Sequence, residues 1–238
     1  MKREGRMNRI LRIGLPVLVC AMAAHANSIT YQTPTGSTTG GGAVNASAAF
    51  TTGAGTVSIT LTDLQANPTD VAQLVSDLDF TLSNGATVGT LTSSSGQLVT
   101  ISNHTATLGA TVATGWGVNN NVSGGIQLDA LGFIGPANLI IGPGPYTNAN
   151  GSINDNSGHN PFLNGSATFL LSVAGVTADT NITSATFSFG TTEGAELVTG
   201  CAVGAARCTS TTVPEPISLA LTGSGLLGLF FLRRRSAR

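Results

Sequence analysis

The sequence predicts an all-β protein: one antiparallel β-sandwich or jelly-roll-like domain, with an apolar signal-peptide helix before it and an apolar transmembrane helix after it. Three observations carry this. Apolar residues recur at every second position in segment after segment, the signature of half-buried antiparallel strands. Gly and Asn, the turn formers, punctuate those segments, with 31 Gly in 238 residues. Hydrophobic residues make up 41% of the chain, enough for a core, although only 9% of residues are charged.

The chain opens on a basic stretch, Lys2 to Arg12, followed by an apolar run from Ile13 to Ala24. Ala24-His25-Ala26 is the small-x-small pattern of a signal peptidase site, so residues 1–26 read as a signal peptide cut after Ala26. Lipoprotein processing at Cys20 is the weaker reading, because Val19 stands where a small residue is wanted.

The body, 27–212, follows. Val44, Ala46, Ala48 and Phe50 share one face, and so do Val57, Ile59 and Leu61. Gly53-Ala54-Gly55 between them reads as a hairpin turn. A short helix is expected from Thr69 to Ser76, where Val71, Leu74 and Val75 share a face. Leu78, Phe80 and Leu82 then alternate with Asp77, Asp79 and Thr81, and Asn84-Gly85 closes that strand. Further strands are expected around Leu108, Ala110 and Val112, around Ile126, Leu128 and Ala130, and around Ala167, Phe169, Leu171 and Val173. Ala185, Phe187 and Phe189 complete the set. The stretch from Gly132 to Pro161, rich in Gly, Pro and Asn, reads as a long loop whose end, His159-Asn160-Pro161-Phe162, seats Phe162 in the core.

The charges are unevenly placed. The whole chain carries a net of −1, but residues 27–213 hold nine Asp and Glu against the single base Arg207, a net of −8. An acidic body without Lys excludes an electrostatic nucleic-acid binder. It also leaves exposed strand edges without their usual Lys blockers, so self-association near pH 4 is expected as the acids titrate.

No catalytic motif emerges. Asp77 and Asp79 lie on one strand face, roughly 6.6 Å apart along the strand, a spacing comparable to glycosidase carboxyl pairs. Their face is the polar one, and solvent-facing acids are the expected reading, with calcium binding the alternative. Asn154-Asp155-Asn156-Ser157-Gly158 is oxygen-rich but lacks the EF-hand positions for Gly and Glu. His104 and His159 are the body's two histidines, and no G-x-S-x-G motif accompanies them to place a nucleophile. Trp116, between two glycines, reads as a packing residue. Cys201 and Cys208, with six residues between them, suit a disulfide in an oxidising exterior.

The C-terminal segment, 213–238, reads Val213-Pro214-Glu215-Pro216, then an uncharged apolar stretch over 217–232, then Arg233-Arg234-Arg235. The apolar stretch is adequate for a thin or tilted span, with the Arg cluster on the cytoplasmic side. The order of these three parts closely resembles the PEP-CTERM sorting signal of bacterial exported proteins. That resemblance implies export, an inner-membrane intermediate held by the C-terminal helix, and cleavage near Pro214-Glu215-Pro216 by an exosortase. Release to the cell surface or extracellular matrix would follow. The expected partners are signal peptidase, the exosortase and exopolysaccharide, with no nucleic acid and no cofactor. The expected function is a non-enzymatic structural or interaction role in a biofilm or exopolysaccharide matrix. The alternative is a carbohydrate- or calcium-binding module; a hydrolase stands behind both.

Overall fold

The computed structural model describes residues 26–205 and Cys208. The expected signal segment ahead of Ala26 and the expected sorting segment 213–238, with its helix 217–232, lie outside the described residues.

The body is all-β, as the alternation predicts. Its strands are β1 (Asn27–Gln32), β2 (Thr38–Thr39), β3 (Gly42–Ala43), β4 (Ala46–Gly53) and β5 (Thr56–Asp63). They continue with β6 (Val75–Leu82), β7 (Thr90–Ser102), β8 (Thr105–Val112), β9 (Gly117–Val122) and β10 (Gly125–Asp129). The last are β11 (Ile140–Ile141), β12 (Phe162–Ser172), β13 (Ile182–Phe189), β14 (Leu197–Thr199) and β15 (Cys201–Ala202). β2 and β3 form a small separate hairpin, and the others make one 13-stranded sheet.

That sheet has two arms. One runs β8-β7-β12-β5-β4-β1-β15, and the other runs β9-β10-β6-β13-β14. β11 joins them: Ile140 pairs antiparallel with Val75 of β6, while Ile140 and Ile141 pair parallel with Leu163 and Asn164 of β12. This short parallel ladder makes the sheet mixed, where an antiparallel one is expected from sequence.

The period-two pattern works as anticipated on most strands. Ala46, Ala48 and Phe50 of β4 and Val57, Ile59 and Leu61 of β5 are all fully buried. Gly53 pairs with Thr56, so Ala54 and Gly55 form the tight turn, with Gly55 at φ 69° where a side chain would be strained. The arms meet through their rings. Phe50 of β4 lies 5.3 Å from Phe80 of β6, and Tyr31 meets Phe50 edge-on at 6.2 Å. Backbone carbonyls next to β13 accept from the opposite arm: Tyr31 Oη donates to Ile182 (3.0 Å) and Thr52 Oγ1 to Thr180 (2.9 Å). Trp116 is buried, packs on Phe169 at 5.3 Å and donates its Nε1–H to the Asn138 carbonyl (2.8 Å), the packing role expected of it.

Three expectations need correction. The helix expected over Thr69 to Ser76 shrinks to one 3-10 turn, Val71–Gln73, capped by Asp70. Leu74 is already extended, and Val75 is claimed by the ladder through Ile140 and Phe189. The long loop over 132–161 is interrupted by β11, which is buried between the arms; its far end does seat Phe162 in the core. Finally, β8 forms as a strand, but the apolar face of Leu108 and Ala110 is exposed, with Leu108 57% accessible.

Candidate functional site

β6 is the central strand of its arm, flanked by β13 on one side and by β10 and β11 on the other. Leu78 and Phe80 face the core, so Asp77, Asp79 and Thr81 face the other way. Cross-strand register extends that second face into two rows. Asp77 lies opposite Asp129 of β10 and Ser188 of β13. Asp79 lies opposite Gln127 and Thr186, and Gln127 is in turn opposite Asn119 of β9.

The first row is sealed. Asp77 and Asp129 are fully buried, which corrects the solvent-facing reading of Asp77. On the Asp129 side the turn after β10 closes over the row. Phe133, Ile134 and Gly135 all donate their amides to the Ala130 carbonyl, folding the chain back over the strand. The Phe133 ring then covers Gly117, where any β-carbon would collide with it. Gly132 sits so close to Asp129 that a β-carbon there would strike Oδ2, and its N–H donates to Asp129 Oδ1 (3.0 Å).

Two carboxyls held together away from water cannot both ionise cheaply. Burial, reinforced by the adjacent Asp129 carboxyl, pushes Asp77 up to about 8, against the weaker pull of the Ser76 hydroxyl and the Ala130 amide. Asp77 therefore keeps its proton at neutral pH. Burial also raises Asp79, with Asp129 adding to the effect and Gln127 opposing it. Asp129 Oδ2 accepts from Asn119 Nδ2 (2.7 Å), and Asp77 Oδ2 accepts from Ser76 Oγ (3.2 Å). Asp77 Oδ1 and Asp79 Oδ1 are buried without a partner.

The second row is open. Asp79, Asn119 and Gln127 form the floor of a groove of about 580 Å³, with Val122, Ser123, Glu193, Gly194 and Leu197 on its walls. The floor offers carboxyl and amide oxygens together with amide N–H donors. Asp79 borders this groove but Asp77 does not, so the strand does not present the two carboxyls flanking an open cleft that glycoside hydrolysis uses.

The other sequence-picked residues lie elsewhere. Asp155 is exposed, and its carboxylate accepts from Ser102 Oγ (2.5 Å), the Asn103 amide (3.1 Å) and Asn154 Nδ2 (2.7 Å). Those donors, the Ser102 hydroxyl first, hold it below the usual carboxylate range. His104 and His159 are tied into the same loop region, donating Nδ1–H to the carbonyls of Tyr146 (3.0 Å) and Ser152 (2.6 Å). Cys201 and Cys208 have their Cα atoms 5.5 Å apart and their sulfurs in contact, within the range a disulfide spans. Ala26 is exposed immediately before Asn27 opens β1. Among the described residues, no three His, Cys, Asp or Glu side chains gather around one metal position.

Residues 212–235 match the model of the PEP-CTERM protein-sorting motif. The chain carries a PEP-CTERM sorting motif. The motif covers Val213-Pro214-Glu215-Pro216 and Arg233-Arg234-Arg235, and it means export through exosortase-type sorting machinery by way of a membrane-anchored intermediate. No curated protein and no solved structure matches the chain.

Its body also holds an acid that sequence reasoning passed over. Asp63, at the end of β5, is almost fully buried and takes backbone N–H groups from Gln65, Gly142 and Val75. Burial outweighs those three donors and raises Asp63 well above the usual carboxylate range. Asp63 thus sits where β5, β6 and the end of β11 meet, with Oδ1 taking the Gln65 amide (2.9 Å). Asp129 was likewise passed over. Its one signal is that Gly125 to Asp129 is followed at once by Ala130-Leu131-Gly132-Phe133-Ile134, a second apolar stretch able to fold back as a cover.

Proposed function

We propose that this PEP-CTERM protein is a non-enzymatic component of the cell surface or extracellular matrix, with a structural or interaction role in a biofilm or exopolysaccharide matrix. The observation that carries the reading is the sorting motif at 212–235 behind an acidic body rich in Thr, Ser and Asn. The mature chain would run from Asn27 to a cut near Pro214-Glu215-Pro216. The body would be a β-sandwich of the jelly-roll-like kind, a reading supported by the rings of Phe50 and Phe80 meeting from opposite arms. Cys201 and Cys208 would be oxidised, tying down the end of β15. Exporting cells carrying a tagged body test the sorting claim by fractionation. Release to the surface or medium is expected, with retention or loss when residues 213–238 are deleted. A tagged body that stays cytoplasmic, or a deletion that changes nothing, overturns it.

The groove favours a second reading, a carbohydrate-binding module. Its floor of Asp79, Asn119 and Gln127 matches the hydrogen-bonding character of sugar hydroxyls. Calorimetric titration with matrix polysaccharide tests this; absence of heat and of a melting shift counts against it.

A further inference from the structure

One register row crosses the whole second arm of the sheet on the face away from the core. Asn119 of β9 lies opposite Gln127 of β10, Gln127 opposite Asp79 of β6, Asp79 opposite Thr186 of β13, and Thr186 opposite Thr199 of β14. All five are polar, and they floor a trough. The groove of about 580 Å³ covers the β9 end of the row. A second hollow of about 280 Å³ covers the β14 end, and Asp79, Val122, Ser123 and Leu197 line both. Four interstrand steps of about 4.8 Å give the trough a length of about 19 Å, which suits a chain better than a single small molecule.

Hydrogen bonds within the floor decide what it offers. Asn119 Nδ2 spends its hydrogens on Gln127 Oε1 (2.9 Å) and Asp129 Oδ2 (2.7 Å), and Gln127 in turn serves the Asp79 carboxyl. Acceptors therefore outnumber donors at this end. Asn119 Oδ1 and the carboxyls of Asp79 and Glu193 stand against one remaining N–H of Gln127, with the Ser123 hydroxyl able to act either way. Residues 26–205 contain no Lys or Arg, so no cation among the described residues balances an anionic ligand. Phe80, the one ring bordering the trough, is buried against Phe50, which leaves no exposed ring among the lining residues to stack on a neutral sugar.

We propose that this trough binds a glycan chain carrying free amines, of the deacetylated amino-sugar class, with Asp79 and Glu193 receiving the ammonium groups. The inference rests on the sugar-binding reading of the groove and adds the charge class of the sugar. An ammonium has three donors and no acceptor, the complement of an acceptor-rich floor. Sugar hydroxyls both donate and accept, and they pair with Gln127, Ser123 and the threonines of the row. Val122 and Leu197 give the C–H face of the sugar an apolar contact. A uronic acid chain meets two carboxyls and no cation and is repelled. A cationic peptide finds the same charges but no ladder for its backbone, because β6, β10 and β13 are each paired on both sides. The charges border open water, so the attraction weakens as salt is added.

The test titrates the full chain in detergent by calorimetry, at mildly acidic pH where sugar amines are charged. The probes are a glucosamine oligomer, the N-acetylglucosamine oligomer of equal length, an oligogalacturonate and a lysine oligopeptide of matched charge. Saturable binding of the glucosamine oligomer is expected, at least tenfold tighter than the N-acetylated one, with no heat from the oligogalacturonate. Glu193→Lys, a charge reversal on an exposed loop, should weaken glucosamine binding at least tenfold and leave the N-acetylated oligomer unaffected. Asp79→Asn should act in the same direction, and Asp155→Asn, outside the trough, should change nothing. Should Asp79→Asn fail to fold, Glu193→Lys and the order of the wild-type affinities decide. Equal affinity for the two glucosamine oligomers overturns the amine preference and leaves sugar binding standing. Silence from both overturns the sugar-binding reading as well. The proposal also fails if the lysine peptide binds as tightly as the glucosamine oligomer, if the oligogalacturonate binds, or if Glu193→Lys leaves the affinities unchanged.

Discussion

Strands β6 and β8 make a natural experiment within one sheet. Each has eight residues, and each alternates apolar with polar side chains. β6 carries two aspartates and is nearly all buried; β8 carries no charge at all and is nearly all exposed. The difference is position in the ladder. β6 has strand partners on both sides, and the turn after β10 folds over Asp129, the residue opposite Asp77. β8 pairs only with β7, at the end of its arm. Alternation therefore sets which residues share a face. The number of neighbours and covering turns sets whether that face is dry.

The sharpest way to break this contrast is to truncate one apolar side chain from each strand. Phe80→Ala, which removes a buried ring packed against Phe50, should cost about 3–5 kcal/mol in urea unfolding. Leu108→Ala on β8 should stay within about 0.5 kcal/mol. Equal losses would mean that β8 is covered in solution. The next largest effect should come from the roof. Gly132→Ala drives a β-carbon into Asp129 and should cost about 1–3 kcal/mol while leaving the β7-β8 hairpin unaffected. Wild-type stability in that variant would show that the turn after β10 shifts freely.

Buried acids give a third, pH-dependent test. Asp63 has its folded-state value raised, so the folded protein holds this proton more tightly than the unfolded chain. Its contribution is complete below about pH 4, the unfolded carboxylate range, and is lost as pH rises toward the raised folded value. Urea midpoints from pH 4 to 9 should therefore fall more steeply for wild type than for Asp63→Asn. Parallel curves would show that Asp63 is ionised in the fold. The smallest expected effect belongs to the exposed edge. Leu108→Lys should change stability by less than about 0.5 kcal/mol yet suppress self-association on acidification, seen by light scattering. The net of −8 counted from composition overstates the charge near neutrality, because burial pushes Asp77 up to about 8 and raises Asp63 as well. Association should accordingly set in before pH 4.

Most of the fold was legible because it rests on local pattern. The β4-β5 hairpin, the inward faces of β6, β12 and β13, and the seating of Phe162 all follow from alternation and turn residues. What could not be read depends on contacts distant in sequence. β11 is two apolar residues inside a loop, and only pairing with Val75 and Leu163 makes it a strand. Asp77 looks solvent-facing because its own strand shows only its face, not Asp129 opposite it or the turn 131–135 folded over Asp129. Asp63 looked like an ordinary acid at a strand end because its amide donors come from residues 65, 75 and 142. The sorting segment was legible for the opposite reason: its meaning lies in residue order alone.

The pairing of β1 with β15 has a mechanical consequence. Gln32 lies opposite Cys201 and Tyr31 opposite Ala202, and the Val203 amide reaches the Thr30 carbonyl. The chain thus leaves the body running back alongside the strand by which it entered, so both exits point the same way. Were both ends held in a single membrane, the body would be under no topological tension. A pull applied through Asn27 and Ala205 would meet the β1-β15 ladder before any other part of the sheet.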